Sequence, residues 1–324
     1  MKTFAARLIL GGLFSAVFAG AVNAQTYPTR PITVIIPFAG GSASDVVSRI
    51  MLQRMSKSMG QPIVIENRPG AGGNSGTAAA ARATPDGYTL VGAGSGPIAA
   101  NISLYKDLGY NPQKELAIIS PFAGFTIVVV ASNTLKINSL KELVAHIKAN
   151  PGKLNYGSVG IGSSQHLAGE YFGQVTGTKV THVPYRNIAQ YGPDLIAGTV
   201  PLGFQWFPNV AAPLQKGAKA LAVAGDQRLA ALPNTPTTTE AGLPEYKVAG
   251  WFALAAPAAT PRPILERLNK ELNEALNDPA VRQGFEKSGA APIALSLDAA
   301  KKFHADEIVL YRKIITNAKI PQIQ

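Results

Sequence analysis

Two loops rich in glycine and serine contain the residues of this sequence that could bind a small anion. The first loop, residues 38–45, follows the β-branched run Ile32–Ile36 and precedes apolar residues at helical spacing from about Asp45. A helix that starts after such a loop leaves its first backbone N–H groups unpaired, and its dipole favours negative charge there. Ser42 and Asp45 stand three apart, which predicts a capping box in this loop.

The second loop, residues 157–164, repeats the plan of the first far along the chain, between a predicted strand and a predicted helix. An ordinary strand-to-helix turn would contain the same residue types, so one loop alone does not establish a site. Two such loops in two halves of one chain predict a ligand held between two lobes.

The residues that could support catalysis form no recognisable pattern. No serine has the Gly-x-Ser-x-Gly spacing of an activated nucleophile, and the four histidines lack metal-ligand spacing. His166 lies in the first turn of the helix after the second loop, where a structural hydrogen bond is expected rather than catalysis. We therefore predict no catalytic residue and no metal site. An exported hydrolase that pairs Ser95 with His166 stays open as an alternative.

Residues 70–75 nearly match the dinucleotide-binding fingerprint, but serine occupies the last position. The fingerprint should open the first helix after the first strand and should be followed about twenty residues later by an acidic residue. Neither condition is met, since Asp86 lies in a predicted turn. We expect no nucleotide and no other cofactor.

The elements around these loops alternate between strand and helix, a pattern typical of an α/β fold. Ligands of open α/β sheets bind at the carboxyl ends of strands, which adds Ser95 and Gly96, at the end of a predicted strand, to the site. The apolar run 125–130 predicts a strand crossing to a second lobe, and residues 251–255 predict the return. We expect two α/β domains joined by two crossing strands, with the ligand cleft between them.

Residues 1–24 have the features of a cleavable signal peptide. Lys2 and Arg7 precede an apolar run too short to span a bilayer, and residues 22–24 fit a small-residue cleavage site before Gln25. We expect lobe 1 to comprise residues 25–126 and 250–324, and lobe 2 to comprise residues 127–249.

Composition narrows the possible partners. The chain has no cysteine, which excludes disulfides, thiolate metal sites and a cysteine nucleophile. Its net charge of +11 falls to +9 without the two basic residues of the signal peptide, and no block of five basic residues occurs. Export argues against nucleic acid, so a small anion is the expected partner.

Six blocks of the sequence resemble the substrate-binding family of tripartite tricarboxylate transporters, the Bug proteins. In chain order they are YPTRPITVIIPFAGGSASD, IENRPGAGGNSGTAAAARATPDGYTL, GSVGIGSSQHLAGEYF, THVPYRNIAQYGPDLIAGTV, LPNTPTTTEAGLP and WFALAAPAATPRPILERLN. The resemblance covers nearly all of the mature chain. It implies a two-lobed, type II-like periplasmic binding protein that is not an enzyme and that holds a small carboxylate. It also implies a monomer in the periplasm that delivers its ligand to the unlike subunits of a membrane permease.

Carried over by position, together with the loop argument, the expected ligand-binding residues are Phe38, Ala39, Gly40, Gly41, Ser42, Ala43, Ser44, Asp45, Ser95, Gly96, Gly160, Gly162, Ser163, Ser164, His166, Tyr185, Asn187, Gln205 and Trp206. The aromatic cluster 204–207 is either core or an apolar wall for an aromatic ligand. The sequence departs from the family pattern at Ser42, Asn187 and Gln205, where the family has glycine, glycine and an acidic residue. A ligand-binding partner of a signalling protein would share every one of these features.

Overall fold

The computed structural model describes residues 27–317 and 320–324, so the expected signal peptide lies outside the described residues. Within these ranges, the strands form a six-stranded and a five-stranded sheet, each flanked by helices. The two sheets confirm the predicted α/β class and its two lobes. None of the helices in the described ranges combines the length and the apolar character that a membrane span requires.

The sheet of lobe 1 places β1 among parallel neighbours. The strand order is β11-β4-β10-β3-β1-β2, in which β1 pairs in parallel with β2 and β3, and β10 is antiparallel to β3 and β4. The bounds are β1 Ile32–Ile36, β2 Ile63–Asn67, β3 Thr89–Gly94, β4 Leu116–Thr126, β10 Ala249–Pro257 and β11 Ala290–Pro292. Since β1 and β3 are parallel, the loops that follow them meet at one edge of the sheet.

The sheet of lobe 2 follows the same principle. Its order is β7-β6-β8-β5-β9, with β6 parallel to β7 and β8, and β5 antiparallel to β8 and β9. The bounds are β5 Val128–Ala131, β6 Asn155–Ser158, β7 Thr181–Pro184, β8 Leu202–Gln205 and β9 Lys219–Val223. The segments after β6 and β8 therefore also meet at one sheet edge.

The helices cover both faces of each sheet. Their bounds are α1 Ala43–Met59, α2 Asn74–Ala81, α3 Asn101–Leu104, α4 Pro112–Glu115, α5 Leu140–Ala149, α6 Ser164–Thr176, α7 Tyr191–Ala197, α8 Phe207–Gln215, α9 Arg262–Asn277, α10 Pro279–Lys287 and α11 Leu297–Asn317.

The position of β1 between two layers of helices explains why its sequence is a nearly continuous apolar run. Ile32, Val34 and Ile36 point into the core that α1, α9 and α10 cover, whereas Ile35 points into the core on the α2 and α11 face. Successive side chains of a strand point to opposite faces. A strand covered on both faces therefore needs apolar residues at every position.

Two extended segments join the lobes side by side. Ile127 separates β4 of the first sheet from β5 of the second, and its N–H donates to the Val248 carbonyl at 3.1 Å. Val248 N–H donates to Ala224 O at 2.9 Å, and Ala224 N–H donates to Ile127 O at 2.8 Å. The predicted outward crossing at 125–130 is thus confirmed.

The predicted return crossing at residues 251–255 is wrong. These residues lie inside β10, paired with β3 and β4 of the first sheet, and the crossing precedes them at Val248. The apolar run is long because β10 is a central strand, not because it passes between lobes. The exact lobe limits of residues 126/127 and 249/250 stay a prediction.

The capping box predicted at Ser42 and Asp45 does not form, whereas Ser139 caps α5. The Ser139 Oγ accepts from Glu142 N–H at 3.2 Å. Ser42 occupies the cap position of α1 without accepting a backbone N–H, and its hydroxyl instead contacts Ser44 Oγ at 3.1 Å. The helix begins at Ala43, two residues earlier than predicted.

Tyr191 supports a prediction about stability, because its fully buried hydroxyl has no hydrogen-bond partner among the described residues. An unpaired buried hydroxyl costs about 1–3 kcal/mol. We expect Tyr191→Phe to raise the free energy of unfolding by about 1 kcal/mol in urea denaturation. Tyr246→Phe is the matched control and should lower it by a similar amount, since Tyr246 donates to Ala168 O at 2.9 Å. Destabilised Tyr191→Phe would show that this hydroxyl is hydrogen-bonded in solution.

Candidate ligand-binding cleft

The carboxyl ends of the parallel strands of both sheets face each other across a narrow cleft. The residues that line it are Phe38, Ser42, Ala43, Ser44, Gly94, Gly96, Pro97, Val159, Ser163, Ser164, Gln165, Trp206, Asn209 and Phe252. Apart from Phe252 of β10, they come from the ends of β1 and β3 and the segments after them in lobe 1, and from the segments after β6 and β8 in lobe 2. The cleft therefore occupies the position where open α/β sheets bind ligands.

The amino terminus of α1 forms the lobe 1 side of the cleft. Ala43 N–H donates across the cleft to Asn209 Oδ1 of lobe 2 at 2.9 Å. The N–H groups of Ser44 and Asp45 have no acceptor in the described part of the chain. Two unpaired donors and one donor satisfied by a side-chain amide leave this helix start suited to an acceptor oxygen.

Asp45 lies in the first turn of α1 but does not face the cleft as a free charge. Its carboxylate accepts from Gly41 N–H, Arg49 Nε and Asn67 Nδ2, each at 2.9 Å. Burial acts to raise the pKa of this carboxyl, but the hydrogen bonds outweigh it and hold the pKa below its ordinary value. Asp45 is thus a paired carboxylate that fixes the first loop, and its direct contact with the ligand stays a prediction.

The amino terminus of α6 forms the opposite side. Ser163 caps this helix, since its Oγ accepts from His166 N–H at 3.3 Å and donates to Gly160 O at 2.7 Å. The N–H groups of Ser164 and Gln165 have no acceptor in the ranges that the structure describes. The two long helices of different lobes thus direct unpaired donors into one cleft.

Ser95 connects the two lobes through its hydroxyl. Its Oγ lies 3.0 Å from Ser164 Oγ and accepts from the Tyr311 hydroxyl of α11 at 2.9 Å. His166 uses Nδ1 to accept from Gly162 N–H at 3.2 Å. The hydrogen-bonding groups that a hydrolase would need are therefore committed elsewhere, and Ser95 and His166 do not form the pair that the alternative required.

No residue that lines the cleft in the described structure carries a formal charge. The same ranges contain no cluster of His, Cys, Asp or Glu that could hold a metal ion. An anion here would be held by backbone dipoles and hydroxyl groups. Each helix start favours an anion by about 0.3–1 kcal/mol when exposed and by up to about 2 kcal/mol when partly buried.

Glycines bring the second loop directly against lobe 1. A Cβ at Gly96 would lie 2.4 Å from the Gly162 carbonyl oxygen, and one at Gly72 would lie 1.9 Å from that of Ile161. Tyr105 adds a hydrogen bond from its hydroxyl to Ile161 O at 3.1 Å. The lobes approach each other closely because these positions have no side chain.

The imidazoles of His166, which is buried, and His182, which is half-buried, pack against each other behind the second loop. The rings of His166 and His182 have centroids 4.3 Å apart, and His182 Nε2 lies 2.6 Å from Ser158 Oγ. Burial lowers the pKa of His166 to about 4, and burial together with the neighbouring His166 lowers the pKa of His182 to about 3. Both rings are neutral at pH 7 and act as packed hydrogen-bonding groups.

The predicted site residues separate into four groups, of which the first three lie in or near the cleft. Those that line the cleft are Phe38, Ser42, Ala43, Ser44, Gly96, Ser163, Ser164 and Trp206. Those that support it from beside or behind are Asp45, Ser95, Gly160, Gly162, His166 and Gln205, of which Gln205 donates to Gly157 O at 2.8 Å. Ala39, Gly40 and Gly41 belong to the outer part of the first loop, and Gly40 and Gly41 line a neighbouring groove instead.

Tyr185 and Asn187, two of the predicted ligand-binding residues, do not line the cleft in this structure, and neither does Phe207, whose cluster was left open between core and apolar wall. Tyr185 donates to Asp194 Oδ2 at 2.6 Å and packs edge-on against Tyr191 in the core of lobe 2. Exposed Asn187 caps the short turn at residues 188–190 through Ala189 N–H. Phe207, the first residue of α8, packs against that core.

Sequence reasoning missed Asn209, Gln165 and Phe252 as cleft residues. Asn209 lies in the first turn of α8, and its Nδ2 donates to Gln205 Oε1 at 3.0 Å. The available signal in the sequence was the position of this asparagine, four residues after Gln205, the polar last residue of β8. Phe252 comes from β10, whose assignment to the crossing hid its place beside Phe38.

The histidine pair predicts how stability depends on pH. Because both folded pKa values lie below the unfolded value of about 6.5, the unfolded chain binds protons first as the pH falls. Each ring should therefore remove about 1.4 kcal/mol of stability per pH unit from about pH 6 down to about pH 4.5. In urea denaturation at several pH values, the free energy of unfolding of His182→Gln should fall less steeply with decreasing pH, by about this amount per pH unit. His146→Gln on α5 is the control. An unchanged slope in His182→Gln would contradict a neutral buried ring.

Comparisons with known proteins agree with this geometry. Residues 47–320 match the family described as "Tripartite tricarboxylate transporter family receptor". Protein BugT of Bordetella pertussis is 36% identical over 315 residues, which cover 95% of this chain and 97% of BugT.

Two solved structures have the same fold. That of Rpa4515 from R. palustris with adipate is 31% identical, with a TM-score of 0.88 over 92% of this chain and 100% of that one. That of MatC from Rhodopseudomonas palustris with bound malate is 29% identical, with a TM-score of 0.83 over 89% of this chain and 100% of that one. The match to the family over residues 47–320 and the shared fold together show that the chain belongs to the receptor family of tripartite tricarboxylate transporters.

Proposed function

We propose that this protein captures a small carboxylate between its lobes in the periplasm and delivers it to a membrane permease. One observation carries the proposal: the amino termini of α1 and α6, in different lobes, direct unpaired N–H groups into one uncharged cleft. A carboxylate has two acceptor oxygens and one negative charge, so it matches both the donors and the helix dipoles.

The relatives with bound adipate and malate support a carboxylate rather than a neutral solute. Export by a signal peptide cleaved after Ala24, a monomeric state, and a permease of two unlike subunits are further parts of the proposal. They derive from the sequence features of residues 1–24 and from the family.

Affinity must come from more than the helix dipoles. A dissociation constant of 1 μM corresponds to about −8.2 kcal/mol. Two helix starts account for at most about 4 kcal/mol of this. Direct hydrogen bonds to N–H and hydroxyl groups and exclusion of water by Phe38, Trp206 and Phe252 must supply the rest, after the cost of ordering the ligand.

The proposal predicts that carboxylates stabilise the purified, ligand-stripped mature protein. At a hundred times its dissociation constant, a ligand adds about 2.7 kcal/mol to the free energy of unfolding. A thermal-shift panel should therefore show a rise of roughly 5 °C with a fitting mono- or dicarboxylate. Amides and alcohols of the same shape should give no rise. A rise with the neutral analogues instead would contradict anion binding.

A negative charge at Ser164 tests the site directly. Ser164→Asp places a carboxylate at the first position of α6, where it should repel the ligand and lower affinity at least 100-fold, by like-charge repulsion of about 3 kcal/mol at close range. Ser164→Asn has the same shape without the charge and is the control. Titration calorimetry that gave equal affinities for the two variants would place the ligand elsewhere.

Gly96 predicts a separate effect on closure. Its backbone is not in the left-handed region, so Gly96→Ala introduces only the collision with Gly162 O. We expect the added methyl group to hold the lobes apart and to weaken carboxylate affinity by about tenfold or more, because adding one methylene to a packed contact costs about 1–3 kcal/mol. The unfolding temperature without ligand should stay close to that of wild type. Gly284→Ala, in α10 outside the cleft, is the control, and wild-type affinity in Gly96→Ala would contradict closure by this contact.

A further inference from the structure

A second groove begins where the cleft ends. It lies between the outer part of the first loop, at Gly40 and Gly41, and helices α7 and α8 of lobe 2, with a volume of about 330 Å³. This volume falls in the range of ligand pockets. The cleft at the helix starts, with the lobes as they stand, has room for about 10 Å³, about one water molecule. A dicarboxylate bound at the helix starts must therefore extend beyond them.

Asn209 is the wall that the cleft and this groove share. Its side chain crosses between the lobes, since Oδ1 accepts from Ala43 N–H at 2.9 Å and Nδ2 donates to Gln205 Oε1 at 3.0 Å. The amide oxygen thus occupies one of the donors that a ligand carboxylate would use. Rotation of this one side chain would join the two spaces, and the carboxylate would take over the hydrogen bond from Ala43.

The walls of the groove are almost entirely apolar. Ile188, Ile196, Pro208 and Ala212 line it, and its one cationic residue is Lys216. Lys216 lies just after the carboxyl end of α8, whereas Asn209 lies near its amino end, a rise of about 10 Å along the helix. Among the described residues, Lys216 forms no ion pair. The groove thus presents an apolar path from the helix starts to a single positive charge.

We propose that this groove is the second half of the ligand site and selects unbranched α,ω-dicarboxylates of adipate length or longer. This inference rests on the proposed function. One carboxylate binds at the helix starts in place of the Asn209 oxygen, the methylene chain lies along α8, and the second carboxylate pairs with Lys216. Short hydroxylated dicarboxylates do not reach Lys216 and place hydroxyl groups against apolar walls, which is unfavourable.

The test compares affinities of the mature wild-type protein for succinate, adipate, suberate and sebacate by titration calorimetry. Burial of each added methylene should raise affinity about two- to fourfold until the groove is filled. The monocarboxylate of the same chain length should bind about fivefold more weakly, as expected for an exposed ion pair. Affinity that is flat or falls with chain length would overturn the inference.

Two variants distinguish the contribution of the ligand's methylene chain from that of its second carboxylate. Lys216→Gln should remove the advantage of dicarboxylate over monocarboxylate, whereas Lys148→Gln, an exposed lysine of α5 in the same lobe, should keep it. Ala212→Glu, an exposed position on the groove wall, should abolish the gain in affinity with increasing chain length of the ligand. If neither variant changes any affinity, the groove is not part of the ligand site.

The outcomes distinguish failure of this inference from failure of the proposed function. If succinate binds, Ser164→Asp abolishes this binding and affinity does not depend on chain length, the receptor function is supported and the role of the groove is overturned. Absence of binding by any carboxylate overturns both. Wild-type dicarboxylate affinity in Lys216→Gln together with lost cellular uptake would also overturn the assignment, because the groove would then be a contact surface for the permease.

Discussion

The arrangement of the whole molecule depends on two helices of separate lobes, α1 and α6, whose amino termini face the same cleft. Each amino terminus has backbone N–H groups that its own helix cannot satisfy, and within the described residues no charged side chain supplements them in the cleft. The sheets, the loops and the paired Asp45 all serve to hold these donors in position. A receptor built this way recognises the carboxylate group itself and leaves the remainder of the solute to neighbouring surfaces.

Closure has its own constraint, which is steric. The second loop meets lobe 1 through backbone carbonyls placed against Gly72 and Gly96, where a side chain would not fit. Behind the loop, the neutral imidazoles of His166 and His182 fill the space without adding charge. The donor groups and the closing contacts thus belong largely to different residues, and Gly96, which both lines the cleft and meets the second loop, connects closure to binding.

Much of this arrangement was predictable from the sequence. The spacing of apolar residues, the β-branched runs and the small-residue loops predict the α/β class and the outward crossing. The two glycine- and serine-rich loops predict helix starts that favour an anion. The failures have physical reasons. Tyr185 was expected in the cleft but its hydroxyl pairs with Asp194, a tertiary contact that spacing does not encode. Asn209 was missed because only the approach of the lobes makes its amide face Ala43. The return crossing was misplaced because a central strand and a crossing strand are equally apolar.

The bonds among Ile127, Ala224 and Val248 have a consequence for how the receptor communicates. They unite the two crossings into one narrow ribbon, which leaves the lobes essentially one axis about which to bend. Every solute that closes the cleft must then produce the same change on the outer surface. If the protein delivers its ligand to a permease as proposed, the closing angle reports only that the cleft is occupied, so discrimination among solutes is left to the receptor.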